Sequence, residues 1–200
     1  NCPPGRYTSK RDLPVCAECP HGYYAKDLSI AVIKKYDNCQ GCPRGKFGDV
    51  NGAKEVMQGC KNCISGRYSD DEAVHVKVKV SLLTSSSNDG SVDEFCKECP
   101  RGRWSNVVGI TEKSMCQNCN AGRFSVTMAS SVENSCLPCG KGRFSEGVGE
   151  AQPEICLHCP VGYAQEKLGQ AYCLPCTPGK HQHREGKETC VDCQIGRFSN

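Results

Sequence analysis

The stretch that decides the fold is CKECPRGRWSNVVGITEKSMCQNCNAGRFS, residues 96–125. It holds two Cys-x-x-Cys pairs that begin 20 residues apart, at Cys96 and Cys116. The same motif follows each pair: a glycine, an arginine, an aromatic residue and a serine, at residues 102–105 and again at 122–125. A unit that recurs at a fixed interval is the signature of a tandem repeat, so short local units should set this fold.

The same register runs through the whole chain. Eighteen of the 19 cysteines form nine Cys-x-x-Cys pairs, and Cys2 stands alone before them. We call the second cysteine of a pair the opening cysteine of a repeat, and the first cysteine of the next pair its closing cysteine. Residues 1–200 are then predicted to be one continuous array of about ten repeats, with an insertion at residues 70–95. The opening cysteines are Cys2, Cys19, Cys42, Cys63, Cys99, Cys119, Cys139, Cys159, Cys176 and Cys193.

Three positions after the opening cysteine are nearly constant. The third residue is glycine in ten of ten repeats, the fourth is Arg or Lys in eight, and the fifth is aromatic in eight. The glycine indicates a tight turn with positive φ. We expect the aromatic ring to cover a disulfide or the next turn, and the basic residue to face solvent. The Ser or Thr that follows is predicted to face outward, at Thr8, Ser69, Ser105, Ser125, Ser145 and Ser199.

Composition excludes an ordinary globular domain. Among 200 residues there are 21 Gly, 11 Pro and 19 Cys, while aromatic residues make up 6%. Such a chain cannot bury one large core, so covalent links must supply stability. The predicted class is a small disulfide-rich fold: an elongated tandem array of short cysteine-rich repeats, with turns, short β ladders and no single hydrophobic core.

Charge and hydropathy restrict the partners. The net charge of +3, with both signs interspersed, does not favour nucleic acid or an anionic membrane. No run of 18 apolar residues occurs, so no membrane span is predicted in this segment.

The cysteines can be used in several ways. If each Cys-x-x-Cys pair closed on itself, nine strained rings would add little stability, because short loops remove little chain entropy. Zinc could bind two pairs, and Cys39, Cys42, Cys60 and Cys63 have suitable spacing, but nine pairs leave one over. A staggered pairing, first with first and second with second across repeats, also remains open.

The favoured scheme joins each opening cysteine to the closing cysteine of its own repeat. Every bridge then encloses one Gly-basic-aromatic motif and is worth roughly 3 kcal/mol in the chain-entropy model. Cys193 is left unpaired or intermolecular, which accounts for the odd number of cysteines. The predicted bridges are Cys2–Cys16, Cys19–Cys39, Cys42–Cys60, Cys63–Cys96, Cys99–Cys116, Cys119–Cys136, Cys139–Cys156, Cys159–Cys173 and Cys176–Cys190.

The motif at Cys96–Ser105, and again at Cys116–Ser125, resembles the ephrin-receptor-like cysteine-rich repeats. More distantly it is similar to the first module of tumour-necrosis-factor-receptor repeats. The resemblance covers essentially the whole chain and implies an extracellular array of turns and short β ladders. The uniform Gly-Arg-Phe-Ser motif looks most like the long arrays in large surface proteins of algae and other protists. Two repeats depart from the pattern, with Ala164 and His181 at the aromatic position; we expect looser packing there, or Tyr163 in place of the ring.

The insertion contains a predicted β strand at residues 74–83, where apolar and polar residues alternate. It is either a hairpin arm on its own repeat or an edge strand that docks on a neighbouring molecule. The docking residues would be Val74, Val76, Val78, Val80 and Leu82.

No enzymatic chemistry is predicted. The disulfide ladder claims the cysteines, and no Ser/His/Asp arrangement, phosphate loop, metal site or cofactor is expected. His181 and His183 are expected to be exposed, and the acidic residues 70–72 lack the spacing of a calcium loop. No Asn-x-Ser/Thr sequon occurs, so O-linked sugars are the expected modification. The candidates are Thr84, Ser85, Ser86, Ser87, Ser105, Ser125 and Ser145.

The predicted function is structural. The chain is expected to be a subunit or segment of an extracellular filament or surface fibre, stabilised by its disulfides and glycosylated. Its partners would be further copies or the neighbouring repeats of a longer chain. The alternative is a receptor ectodomain stalk that binds a protein ligand.

Overall fold

The computed structural model describes residues 2–8, 15–25, 39–73 and 95–196. Nine disulfides join the opening and closing cysteines of successive repeats, and they are the nine pairs of the favoured scheme. Their Cα atoms lie 5.5–5.8 Å apart, within the usual range for a disulfide. Cys193 is the free cysteine. The ladder therefore closes loops whose ends are 14 to 33 residues apart in sequence.

The strands are two residues long and form nine two-stranded antiparallel sheets in the described part of the chain. In each sheet, the basic-aromatic pair of one repeat lies opposite the two residues between the next closing and opening cysteines. Arg103 lies opposite Asn118, for example, and Trp104 opposite Gln117. The strands are β1 (Arg6–Tyr7), β2 (Ala17–Glu18), β3 (Tyr23–Tyr24), β4 (Gln40–Gly41), β5 (Lys46–Phe47), β6 (Lys61–Asn62), β7 (Arg67–Tyr68), β8 (Lys97–Glu98), β9 (Arg103–Trp104), β10 (Gln117–Asn118), β11 (Arg123–Phe124), β12 (Leu137–Pro138), β13 (Arg143–Phe144), β14 (Leu157–His158), β15 (Tyr163–Ala164), β16 (Leu174–Pro175), β17 (Lys180–His181) and β18 (Val191–Asp192).

Helical structure is limited to single turns. The helix α1 spans Val56–Gly59, and 3₁₀ turns span Lys113–Met115, Glu133–Ser135 and Pro153–Ile155. Each of them comes directly before a closing cysteine, so the turn carries the chain back to the disulfide. Over the residues that the structure describes, none of the helices has the length and apolar character needed to cross a bilayer.

Burial is divided among small clusters built on disulfides. One cluster contains Cys19, Ala25 and Cys39, with Tyr7 and Tyr23 packed against it. The aromatic residue of the first repeat thus packs on the disulfide of the second, as predicted.

A second cluster contains Phe47, Cys63 and Cys96, with Phe95 packed against it. The rings of Phe47 and Phe95 stack with their centroids 5.5 Å apart. The small disulfide-rich class predicted from the sequence is confirmed.

The chain divides into two compact units. The first comprises Asn1–Glu98 and Val107–Met115, and the second comprises Cys99–Asn106 and Cys116–Asn200. The contacts between repeats that follow lie within one unit or the other.

Candidate functional site: the contacts between repeats

Backbone hydrogen bonds join consecutive repeats in the second unit. The Cys119 N–H donates to the carbonyl of Gly102 at 2.8 Å, and the Gly102 N–H donates to the carbonyl of Ser125 at 2.8 Å. The Ser125 N–H in turn donates to the carbonyl of Glu150 in the following repeat, at 2.9 Å. Equivalent bonds recur in the first unit, where Cys63 N–H donates to the Gly45 carbonyl and Gly45 N–H to the Ser69 carbonyl. The glycine after each opening cysteine, which we call the first-turn glycine, is therefore both donor and acceptor to the next repeat.

A second turn in each repeat was missed from the sequence. It lies ten residues after the opening cysteine, and its N–H donates to the opening carbonyl of the preceding repeat. Gly149 donates in this way to Cys119 at 2.8 Å, and Ala129 to Cys99 at 2.9 Å. We call this the second-turn residue. All seven described examples have φ between +52° and +71°, and they are Gly52, Ala73, Gly109, Ala129, Gly149, Gly169 and Gly186.

The second-turn residue also reaches the repeat two positions back. A Cβ built on Gly102 would lie 2.0 Å from the carbonyl oxygen of Gly149, although two opening cysteines separate these glycines. The corresponding distance is 2.2 Å from Gly142 to Gly186 O and 2.2 Å from Gly45 to Gly109 O. No side chain fits at such a distance, so glycine is required both for its positive φ, +77° at Gly102, and for the close approach. We call this contact between a first-turn glycine and a second-turn residue the interlock.

Not every first-turn glycine takes part in an interlock. Among the described residues, no atom lies within 4 Å of a Cβ built on Gly162, although its φ of +84° matches the others. Gly162 has the same backbone conformation without the close contact, so it serves as an internal reference for the interlock.

The serines after the aromatic residues are buried, and the prediction that they face outward is wrong. Ser69, Ser105, Ser125 and Ser145 are only 0–4% exposed. The two-residue strands end before the serine, so strand alternation does not extend to it. The next repeat covers its backbone, as at Ser125, where both the N–H and the carbonyl bond to the following repeat. Ser105, Ser125 and Ser145 are therefore inaccessible to sugars in the folded chain.

The basic residue before the aromatic residue is also not simply a solvated group. The Arg123 guanidinium donates to the Cys136 carbonyl at 2.9 Å, and Arg143 donates to the Cys156 carbonyl at 3.0 Å. Arg67 donates to the Cys96 carbonyl at 3.0 Å and pairs with Glu98 at 2.7 Å, with only 15% of its side chain exposed. These arginines satisfy the carbonyl of the closing cysteine, a structural role that the solvated-face prediction missed.

Two shorter repeats replace the serine with glutamine. In the repeats opened by Cys159 and Cys176, the disulfide joins cysteines only 14 residues apart, against 17 in the three repeats before them. Gln165 is 3% exposed; its Nε2 donates to the Tyr172 carbonyl at 2.8 Å, and its Oε1 accepts from the Lys167 N–H at 3.0 Å.

Gln182 makes the same two bonds, to Thr189 and Arg184. Tyr163 is 40% exposed, so the expectation that it substitutes for the missing ring is wrong. The glutamine side chain instead fastens the shortened loop.

The acidic residues before the insertion form a cluster with a lysine. The Lys97 ammonium donates to Asp70 and, at 2.8 Å, to Asp71. The hydrogen bond from Lys97 lowers the pKa of Asp70, and the two carboxylates raise the pKa of Lys97. Because all three side chains are at least 42% exposed, the cluster contributes little stability.

The unpaired Cys193 is half-buried, and its Sγ lies 3.8 Å from Nδ1 of His181. The rings of His181 and His183 stack with their centroids 5.8 Å apart. Among the residues that the structure describes, no three His, Cys, Asp or Glu side chains are grouped so that they could hold a metal ion.

The predicted docking strand, with Val74, Val76, Val78, Val80 and Leu82, lies outside the described residues. The same holds for the glycosylation candidates Thr84–Ser87. Both remain predictions.

Comparison with known proteins adds no assignment: no protein-family model matches the chain, and no curated protein matches it.

Proposed function

We propose that the chain is a structural segment of an extracellular filament or surface fibre. The observation that carries this proposal is the interlock. The second-turn residue of one repeat closes over a first-turn glycine two repeats back, and the same geometry recurs at Gly5, Gly45, Gly102, Gly122 and Gly142. A contact that repeats with identical chemistry supports an array of indefinite length, which is what a fibre requires.

The disulfides support an oxidising location. Nine bridges persist in secreted and cell-surface proteins, whereas the cytosol keeps thiols reduced. We therefore place the chain outside the cell and assign it no catalytic role. O-linked sugars, if present, are proposed for Thr84–Ser87, and intact mass equal to that of the bare sequence would remove them from the proposal.

Electron microscopy tests the proposal. The oxidised 200-residue chain is purified from a secretory host and imaged by negative stain over a range of concentrations. We expect polymers whose length grows with concentration. A Cys193→Ser variant is the matched control, because it separates assembly through an intermolecular disulfide from non-covalent assembly. Isolated particles at every concentration, in both proteins, would contradict the fibre and leave a ligand-binding stalk as the better candidate.

A further inference from the structure

Four exposed aliphatic residues occupy one ladder position in consecutive repeats of the second unit. The position follows the closing cysteine directly, and we call these residues the aliphatic row. They are Leu137, Leu157, Leu174 and Val191, with exposed fractions of 46%, 57%, 54% and 52%.

The repeat fold does not require an apolar residue at this position. The five preceding ladders carry Ala17, Gln40, Lys61, Lys97 and Gln117 there, in the same register. The backbone pairing is the same with either kind of residue. The row therefore exposes apolar surface without a folding reason, and regular exposed apolar surface marks an interaction site.

The ladder register gives the row one face per sheet. Leu137 lies opposite Phe124 and Leu157 opposite Phe144, so in each pair the two side chains project to the same face of the sheet. Leu174 also borders a pocket of about 380 Å³, together with Tyr172. The row thus offers both projecting side chains and a recess that a side chain could enter.

We propose that the aliphatic row is a lateral self-association surface, and that its partner is the same row of a second copy. Its members follow one another at 20, 17 and 17 residues, one per repeat. A second copy presents apolar side chains at these same intervals, and a two-fold axis lets one patch serve both molecules. Charge does not oppose the contact, since the second unit carries ten Lys and Arg against eight Asp and Glu, a net +2.

The contact of one pair of rows is weak. A fully exposed aliphatic side chain offers about 100 Å² of apolar surface, so four half-exposed ones bury about 400 Å² over both copies. A stable interface usually buries about 1,200 Å² or more. Lateral association therefore becomes strong only when several copies align, as they would in a fibre. In this respect the inference rests on the proposed function.

Sedimentation velocity of the full chain tests the row. The background is Cys193→Ser, which excludes covalent dimers, at about 10 to 500 µM. The row variant replaces the four residues with glutamine, which the chain already carries at Gln40 and Gln117. The control variant places four glutamines at exposed apolar positions of the first unit, Val15, Val50, Met57 and Ile64. Non-reducing mass must show nine disulfides in every protein.

We expect the weight-average mass of the background and control proteins to rise with concentration. In the row variant this rise should need at least tenfold more protein. Equal association in the row variant and the control would overturn the proposal, and so would a background protein that stays monomeric throughout.

Negative-stain images of the row variant with Cys193 intact separate the two proposals. Single filaments that do not lie side by side would support both. Filaments that still bundle would overturn the row and leave the fibre standing. If filaments form in neither the wild-type protein nor the variant, the fibre fails, and sedimentation alone decides the row.

Discussion

Replacing Gly102 with alanine should break one interlock. A Cβ on Gly102 would lie 2.0 Å from Gly149 O and 2.8 Å from Glu150 O, so the second turn of a later repeat must move away. The φ of +77° adds about 1–2 kcal/mol of backbone strain for a residue other than glycine. Overpacking of this kind costs about 1–3 kcal/mol. We therefore expect a loss of about 3 kcal/mol in local stability.

Gly162→Ala is the matched control. It has the same position in its repeat and a φ of +84°, but no described atom lies within 4 Å of its Cβ position. It should lose only the strain, about 1 kcal/mol. The difference between the two variants measures the interlock itself.

Native-state hydrogen exchange measures both losses at equivalent amides. The Cys119 N–H bonds to the Gly102 carbonyl and the Cys176 N–H to the Gly162 carbonyl, each at 2.8 Å. Exchange should accelerate by about 100-fold at Cys119 in Gly102→Ala and by about fivefold at Cys176 in Gly162→Ala. Equal acceleration in the two variants would refute the interlock as a source of stability.

Three further predictions concern other contacts. Gln165→Ala should cost about 2 kcal/mol because the Tyr172 carbonyl and Lys167 N–H lose their partner; thermal unfolding should show no comparable change in the exposed neighbour variant Glu166→Ala. Since the Lys97 hydrogen bond lowers the pKa of Asp70, its small stabilising effect is present above the unfolded pKa of about 3.8 and is lost as pH falls through the folded value; NMR titration of Lys97→Gln should return the Asp70 pKa toward 3.8, and an unchanged titration would contradict the pairing. Reduction should add about two hydrogens per bridge to the intact mass, and alkylation before reduction should label Cys193 alone; labelling at any other cysteine would contradict the ladder.

The sequence predicts the ladder well because the cysteine register leaves few consistent pairings. The first-turn glycines were found from their constant distance to the opening cysteine. The second-turn residues were missed for two physical reasons: alanine occupies the position at Ala73 and Ala129, and the contact it makes lies two repeats away. A count of ten residues after each opening cysteine would have shown the glycines at 109, 149 and 169.

The buried polar residues were harder to predict. A serine beside a two-residue strand gives no sign that the next repeat will cover it, as happens at Ser125. Gln165 gave no signal because its role depends on the length of the loop that it fastens, and not on its immediate neighbours. Non-local packing decided both outcomes.

The disulfide ladder also fixes how far the chain can be stretched. Under tension the load would cross each bridge, where the Cα atoms are 5.5–5.8 Å apart, and then the three-residue step between one pair's cysteines. At about 3.5 Å per extended residue, one repeat can lengthen to about 16 Å, whereas a reduced repeat of 20 residues would reach about 70 Å. The long loop between Cys63 and Cys96 adds no more reach than the short one between Cys2 and Cys16. The oxidised chain is thus close to inextensible even when every hydrogen bond is broken, and its reach under load is set by the number of bridges.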